Sequence, residues 1–148
     1  MEITIKPFEQ LTNYEVYNMI RIREEIFILE QDCVYVDCDK NDTICDHLLV
    51  KKNDEIIATL RIVPAGVKYE QISIGRVVVT EQVRKQGLGT KIMKEALAYI
   101  EKKYGQVPVV LSAQVSIKGL YEKSGFKVVS DIYLEDGIDH VKMRLVSV

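Results

Sequence analysis

The chain has 148 residues, of which 47% are hydrophobic and 28% are charged. This length and composition are typical of a soluble globular protein, and we expect a single domain over residues 1–148 with a buried core. A net charge of −2 argues against a general nucleic-acid-binding protein, which normally carries a basic excess. No apolar run approaches the roughly 18 residues of a membrane span, and the polar start is not a signal peptide. We therefore expect a cytoplasmic monomer or homodimer without membrane or nucleic-acid partners.

The first two elements are predicted to be a strand and a helix. Residues 3–7 alternate between apolar and polar and end in proline, which predicts a strand. Thr12 and Glu15 have the spacing of a capping box, so a helix is expected to begin there and to run to about Glu30. Arg23 falls within the apolar stripe of this helix. Its side chain either extends to the rim, the commoner arrangement, or is bound by a carboxylate.

The three cysteines of the chain, Cys33, Cys38 and Cys45, lie in one loop. An odd number of clustered thiols argues against a disulfide framework, so we expect them to be reduced. With His47 they form a C-x4-C-x6-C-x-H pattern, which lacks the close cysteine pair of structural zinc sites. We expect no zinc site.

The same loop is long and acidic. Asp37, Asp39 and Asn41 match the first ligand positions of a calcium-binding loop. Asp42, however, replaces the glycine that such a loop requires, and Leu48 replaces the closing glutamate. A calcium site is therefore not expected, and the length of the loop suggests another functional role.

The rest of the chain alternates strands with helices. The Asn53-Asp54 turn predicts a hairpin between residues 47–52 and 55–63, and residues 71–79 predict a buried strand with a possible bulge at Gly75. A long amphipathic helix, a second buried strand, a short helix and two alternating strands are predicted at residues 88–104, 109–113, 117–124, 126–130 and 138–145. This order predicts a mixed α/β fold with helices on a central sheet.

Two glycines, Gly87 and Gly89, lie where the central strand turns into the long helix. Glycine permits close backbone approach to a ligand, and a helix N-terminus presents unpaired N–H groups and a partial positive charge. The sequence therefore predicts an anion site built from backbone. It is neither a nucleotide P-loop nor a dinucleotide fingerprint, which would need Gly or Ala where Ile92 stands.

The R-x-x-G-x-G pattern from Arg84 to Gly89 resembles the pyrophosphate loop of the GNAT acyltransferases. The resemblance implies a GNAT acyl-CoA N-acyltransferase fold and acetyl-CoA as the cofactor. It further implies that backbone groups of Val77 and Val79 hold the pantetheine arm and that amides near Gln86 to Thr90 hold the diphosphate. The cofactor-binding residues implied in this way are Val77, Val78, Val79, Arg84, Lys85, Gln86, Gly87, Leu88, Gly89, Thr90, Gln114 and Tyr121.

A second segment, residues 114–126, resembles the GNAT segment in which a short helix carries a tyrosine four residues before Gly-Phe. The resemblance implies that Tyr121 lies near the thioester sulfur and protonates the departing thiolate. Gln114 stands where the family often has asparagine. Taken alone, Tyr121 would more often be a core tyrosine with its hydroxyl at the rim.

Over almost the whole chain, the sequence is similar to the ElaA-like branch of the GNAT proteins. The segments that carry this likeness are residues 27–33, 74–77, 113–114 and 135–140, together with Tyr35, Asp37, Asp39 and Asp42. Val34 stands where that branch usually places proline. Substrates are poorly defined in this branch, so the likeness informs the fold more than the function.

The resemblance implies direct transfer of an acetyl group to a nucleophile. An alkylamine with a pKa of about 10.4 is mostly protonated at pH 7, so some group must accept its proton. The strand glutamate that many relatives use is absent from residues 72–77. The candidates for the base are His47, His140, Glu30 and Asp136, with His140 slightly ahead of His47.

The acceptor is expected to be a primary amine, either a small molecule or a peptide amine. Acidic residues, Glu30 and Asp136 among them, are concentrated around the expected acceptor side and would attract a cation. Alternatively, these acids pair with Arg23, Arg61 and Arg76. Arg61 and Arg76 are expected to be ion-pair partners of the acidic loop, although they could instead bind a substrate carboxylate. A non-catalytic acyl-CoA sensor with the same fold remains the alternative function.

Overall fold

The computed structural model describes residues 1–148 and contains one eight-stranded sheet. The predicted mixed α/β fold is confirmed. No helix combines the length and the apolar character needed to cross a membrane. The strands are β1 (Glu2–Pro7), β2 (Asp46–Lys52), β3 (Glu55–Val63), β4 (Ile72–Val79), β5 (Val109–Gln114), β6 (Lys127–Val128), β7 (Tyr133–Glu135) and β8 (Ile138–Leu145), and the helices are α1 (Asn13–Arg23), α2 (Leu88–Tyr104) and α3 (Lys118–Glu122).

The strand order is β1-β2-β3-β4-β5-β8-β6, with β7 paired to β8. All neighbouring strands are antiparallel except β4 and β5, which are parallel. The β4–β5 register consists of Ile72 opposite Val109 and Ser73 opposite Val110. Beyond these residues the two strands are no longer paired. The sheet therefore opens into a cleft in its middle.

Helices cover both faces of the sheet. Met19 and Ile22 of α1 pack with Leu49, Ile56 and Val78 on one face. The larger cluster, to which α2 contributes, covers the other face. Side chains alternate between the faces of a strand, so neighbouring residues such as Leu48 and Leu49 belong to different clusters. β4 contributes to both clusters, with Ile72 and Ile74 in the larger one and Val78 in the smaller one.

The capping box at the start of α1 is confirmed. Thr12 accepts a hydrogen bond from the Glu15 amide, and the Glu15 carboxylate accepts one from the Thr12 amide. The predicted end at Glu30 is correct only for the helical path as a whole. The α-helix ends at Arg23 and continues as a π-helical segment from Glu24 to Glu30. π-helical segments are rare, and those that occur often lie at functional sites. Hydrophobic periodicity does not predict them.

The hairpin between β2 and β3 is confirmed, and both turn residues, Asn53 and Asp54, have positive φ. The bulge in β4 is also present, but its position differs from the prediction. Gly75 still pairs with Arg61, and the extra residue falls between Gly75 and Val78, where Arg76 has a φ of 50°. The bulge thus changes the direction of the long charged side chain of Arg76 and is not centred on the glycine.

The C-terminal part departs most from the sequence expectations. Of the strand predicted over residues 126–130, Lys127 and Val128 form a ladder with β8, and the Val129 amide adds one hydrogen bond to the Lys142 carbonyl. The chain then forms β7, which was not predicted, and turns through Asp136-Gly137 into β8. A strand of three residues is too short to give a clear periodic signal.

Candidate functional site

Two cavities lie in the cleft between β4 and β5. The larger cavity has a volume of about 540 Å³ and the smaller cavity one of about 100 Å³. Both contain residues of β4, of the π-helical segment and of the turn after β5. The residues that line both cavities are Phe27, Gln31, Val77, Gln114 and Ile117. These shared residues form the junction through which the two cavities meet.

The N-terminus of α2 opens into the larger cavity. Gly87 precedes the helix with a φ of 76°, and its carbonyl accepts the hydrogen bond of the Lys91 amide. The amides of Leu88, Gly89 and Thr90 come before that bond and have no partner within the helix. All these residues except Lys91 line the cavity. The helix N-terminus, with its partial positive charge, is thus directed at the cavity where the sequence predicts a backbone anion site.

The two glycines of the loop have different structural roles. Gly87 needs its left-handed φ, whereas Gly89 has no such requirement. A Cβ at Gly89 would lie 3.1 Å from the side chain of Leu120, so this glycine permits close packing of α2 against α3. Lys85 also lines the cavity and has a positive φ. Gln86 does not line it, and its side chain is 3.4 Å from the Gln82 carbonyl.

The edge of β4 supplies the long wall of the larger cavity. Val77, Val78 and Val79 line the cavity where β4 has no pairing with β5, so their backbone groups on that side are free of the ladder. Only the Val79 carbonyl is engaged, by the Nε of Arg84 at 2.9 Å. An extended polar ligand can therefore pair with this edge while its anionic end reaches the helix N-terminus.

Glu30 and Arg84 form an ion pair at the rim of the larger cavity. The two guanidinium Nη atoms donate to the two carboxylate oxygens at 2.8 and 2.6 Å. The hydrogen bond from Arg84 lowers the pKa of Glu30. Both side chains are more than one third exposed, and the pair connects the π-helical segment to the glycine loop.

Tyr121 lies in the wall of the smaller cavity. Only 4% of the residue is exposed, its ring packs against Phe126, and its hydroxyl has no hydrogen-bond partner in the chain. Burial raises the pKa of Tyr121, so the hydroxyl keeps its proton at neutral pH. At the junction, Gln114 donates a hydrogen bond to Gln31 at 3.2 Å.

Arg23 is fully buried, with 1% exposure. Its Nε donates to Asp37 at 2.8 Å, and its Nη1 donates to Asp42 at 2.9 Å. The commoner arrangement, in which the side chain extends to the rim, is therefore wrong for this residue. The acidic loop folds back over the helix and provides carboxylates in the interior, which a helical stripe alone could not reveal.

The acidic loop binds two further arginines, Arg61 and Arg76. Arg61 donates to Asp39 at 2.5 Å and to Asp42 at 3.1 Å, and the Arg61 hydrogen bond lowers the pKa of Asp39. The Arg76 Nε lies 3.0 Å from Asp37. Most carboxylates of this loop are thus neutralised internally, and Asp46 likewise pairs with Lys103. These pairs favour the ion-pair interpretation of the loop over attraction of a cationic acceptor.

The four candidates for the base occupy different places. His140 and Asp136 line the smaller cavity, whereas Glu30 lines the larger one. His47 lines neither cavity. It is fully buried, its Nε2 donates to the Asp42 carbonyl at 2.8 Å, and burial lowers its pKa. Through this hydrogen bond, His47 stabilises the acidic loop at Asp42.

Sequence reasoning missed the arrangement of several polar residues in the smaller cavity, although it counted Glu135 among the acids near the acceptor. Ser112 of β5 and Glu135 of β7 line it next to His140, and Tyr133 stacks on the His140 ring. Ser112 is the one polar residue in an otherwise apolar strand run, a signal that could have identified it. Glu135 required the pairing of β7 with β8, which local pattern did not predict.

Comparisons with known proteins agree with this architecture. The family model described as an acetyltransferase (GNAT) domain matches residues 23–147. A UPF0039 protein of Schizosaccharomyces pombe is 39% identical over 147 residues, covering 98% of this chain and 97% of that protein. The ElaA protein of Escherichia coli is 35% identical over 136 residues, covering 90% and 89%.

Solved structures give the same result. An acyl-CoA N-acyltransferase from Pseudomonas aeruginosa superposes with a TM-score of 0.91 at 36% identity, covering 97% of this chain and 99% of that one. Escherichia coli ElaA superposes with a TM-score of 0.91 at 32% identity, with the same coverage. The predicted GNAT fold and ElaA-like relationship are confirmed. The chain belongs to the GNAT acetyltransferase family, in its ElaA-like branch, and is a transferase.

Proposed function

We propose that this protein transfers an acetyl group from acetyl-CoA directly to a primary amine, with Tyr121 as the general acid. The observation that carries the proposal is the junction of the two cavities. The larger cavity has the helix N-terminus at one end, the smaller cavity has Tyr121 in its wall, and both share Val77 and Gln114. A donor in one cavity and an acceptor in the other would meet in one cleft without a covalent enzyme intermediate.

The residues of the larger cavity fit coenzyme A. The amides of Leu88, Gly89 and Thr90 suit a diphosphate, and the open edge of β4 at Val77 and Val79 suits the amides of a pantetheine arm. The volume of about 540 Å³ lies within the range of cofactor sites. When bound, acetyl-CoA supplies the activated acetyl group.

The smaller cavity has the groups that aminolysis of a thioester requires. The hydroxyl of Tyr121 is protonated and free of other hydrogen bonds, so it can donate its proton to the departing sulfur. His140 and Asp136 line the same cavity, which supports a role for this side of the cavity in accepting a proton from the incoming amine. The volume of about 100 Å³ favours a small amine or the single side chain of a peptide.

A screen of amines and peptide N-termini with acetyl-CoA tests the proposal. Release of free coenzyme A thiol would be followed, and acetylated products would be identified by mass spectrometry. We expect at least one amine to give thiol release far above the rate of hydrolysis. The matched control is Tyr121→Phe, which keeps the ring and removes the proton donor.

The same screen distinguishes the enzyme from a non-catalytic acyl-CoA sensor. Calorimetry with coenzyme A and acetyl-CoA would run in parallel with the rate measurements. Tight binding without turnover on any amine would contradict the proposal and indicate the sensor. Absence of binding would remove the larger cavity from any role in holding coenzyme A.

A further inference from the structure

Polar side chains from three adjacent strands meet at one wall of the smaller cavity. Ser112 lies on β5, Tyr133 and Glu135 on β7, and His140 on β8. The register places Tyr133 opposite His140, and Glu135 two residues further along the same face of β7. Ser112, Glu135 and His140 line the cavity, and Tyr133 stands behind them.

The His140 ring is held in one orientation. Its Nδ1 lies 2.7 Å from the Ile138 carbonyl, so this nitrogen carries a proton and donates it. The ring stacks on Tyr133 with a centroid separation of 6.2 Å. The remaining nitrogen, Nε2, lies 3.3 Å from Oε2 of Glu135. The lone pair of His140 therefore points at a carboxylate rather than at solvent.

Glu135 is held by the same group of residues while staying accessible. Ser112 Oγ lies 2.5 Å from the Tyr133 hydroxyl and 3.4 Å from each carboxylate oxygen of Glu135. If the Tyr133 hydroxyl donates the hydrogen bond to Ser112 Oγ, the Ser112 hydroxyl is free to donate its own hydrogen bond to Glu135. The Glu135 side chain is 38% exposed, so a ligand in the cavity can reach it.

The geometry points to Glu135 and His140 as a paired proton acceptor for the acceptor amine. A carboxylate facing an imidazole lone pair at 3.3 Å is unfavourable until a proton lies between them, when it becomes a charge-assisted hydrogen bond. The pair therefore has a place for one proton. This inference rests on the proposed function and assigns to Glu135 the contact with the substrate ammonium group.

Other charged groups lie near the pair. Lys68 and Asp136 line the same cavity, and Tyr69 lies beside Glu135 with the Lys142 ammonium group 4.8 Å from its ring centroid. The Lys68 ammonium group forms no ion pair within the chain, and burial lowers its pKa, an effect that the Glu135 carboxylate opposes. The cavity thus contains cations beside the pair, which favour release of the proton after transfer.

The proton balance of the reaction is closed. The substrate ammonium gives one proton to the pair and keeps the electron pair, so the neutral amine attacks the thioester carbonyl carbon. The carbon–sulfur bond breaks with its electrons on sulfur, and Tyr121 protonates that sulfur. The new amide nitrogen loses its second proton, which restores Tyr121. The proton held by Glu135 and His140 then passes to water, leaving an amide, a thiol and one released proton.

Two acceptors of different basicity test the inference. One is the best alkylamine from the screen, and the other is the O-alkylhydroxylamine with the same side chain, which is free base at neutral pH and needs no deprotonation. We expect Glu135→Gln and His140→Gln each to lower kcat/KM for the alkylamine by about 10²–10⁴-fold, but to leave the hydroxylamine within a few-fold. The double variant is expected to be no worse than either single variant. Asp139→Asn is the matched control, since Asp139 lies between Ile138 and His140 in β8 and lines neither cavity.

Several outcomes would overturn the inference. Equal losses for both acceptors would assign Glu135 to acceptor binding or to structure. Unchanged rates for the alkylamine would remove Glu135 and His140 from the proton path. Failure of the wild-type protein to acetylate any amine is a different result, because it would contradict the proposed function itself.

NMR of the wild-type protein tests the orientation of the His140 ring. It needs no acceptor and no variant that must fold. The chain has two histidines, so ¹⁵N labelling of histidine gives two ring systems. We expect the neutral rings to be opposite tautomers, with the proton on Nε2 in His47 and on Nδ1 in His140, since each donates to a carbonyl. A His140 ring protonated only at Nε2 would contradict the orientation on which the inference depends.

Discussion

The larger and smaller cavities are built from different parts of the chain. Backbone supplies the anion-binding features of the larger cavity: the amides at the start of α2, the left-handed turn at Gly87 and the unpaired edge of β4. Side chains from distant segments make the smaller cavity, which combines Tyr121 with Glu135 and His140. A backbone site tolerates most side-chain changes, whereas a side-chain site depends on each group. Substitutions should therefore have larger effects on turnover at the smaller cavity than on affinity at the larger one.

The largest effect is expected for Tyr121→Phe. Loss of the proton donor should lower kcat by about 10²–10⁴-fold. Tyr121 lines the smaller cavity and not the larger one, so the affinity for coenzyme A should change little. Steady-state rates with the best amine, together with calorimetry, measure both quantities. A variant within a few-fold of wild type would assign Tyr121 to packing alone.

The contrast between the cavities explains how much the sequence could reveal. The capping box of Thr12 and Glu15, the Asn53-Asp54 hairpin and the turn at Gly87 are local, because the residues that determine each are adjacent in the chain. Local patterns could therefore locate the glycine turn and the helix N-terminus that open into the larger cavity, whereas the role of Val77 and Val79 came only from the family resemblance. The smaller cavity depends on β7, a strand too short to recognise, and on contacts between residues far apart in sequence.

Charge pairing could be predicted only in part: Arg61 and Arg76 were expected to pair with the acidic loop and do so, whereas Arg23 was expected at the rim and is buried in the same network. The acidic loop has the composition of a cation-attracting surface, yet Asp37, Asp39 and Asp42 bind Arg23, Arg61 and Arg76. Composition counts charges but does not show which ones are already paired. An arginine in an apolar helical stripe and a nearby run of aspartates are together a signal for such pairing, since a buried charge is costly without a partner.

Arg23→Met is expected to have the next largest effect, on stability. The substitution removes one of the two arginines that each of Asp37 and Asp42 binds, since Asp37 keeps Arg76 and Asp42 keeps Arg61. Breaking a buried ion pair typically costs about 3–5 kcal/mol in the free energy of unfolding, and the remaining pairs make this an upper bound. Arg21→Met is the matched control, because Arg21 pairs with Glu25 at the surface and should cost less than about 1 kcal/mol. Urea denaturation of both variants gives the comparison. Equal losses would show that the buried arrangement contributes no more than a surface pair.

Gly87→Ala tests the backbone of the larger cavity and should have a moderate effect. A Cβ at a φ of 76° costs about 1–2 kcal/mol. If the variant keeps the left-handed conformation at residue 87, its free energy of unfolding falls by that amount. If the loop relaxes, its amides turn away and coenzyme A binding weakens by about five- to thirtyfold. Gly119→Ala is the control, since it has neither positive φ nor a close neighbour. A Gly87→Ala variant unchanged in both stability and affinity would remove the left-handed turn from the site.

The smallest effect is expected at the rim pair, and its direction is informative. Glu30→Gln releases Arg84 from its carboxylate partner and removes a negative charge from the mouth of an anion site. Both side chains are more than one third exposed, so the pair contributes about 0.2–1 kcal/mol at most. Coenzyme A should therefore bind more tightly, by less than about fivefold.

Glu25→Gln on the same π-helical segment is the control, because Glu25 pairs with Arg21 and lines neither cavity. The gain should shrink as ionic strength rises, since exposed charges are screened. Weaker binding in Glu30→Gln would instead mean that Glu30 itself contacts the ligand, and the larger cavity would then depend on side chains as the smaller one does.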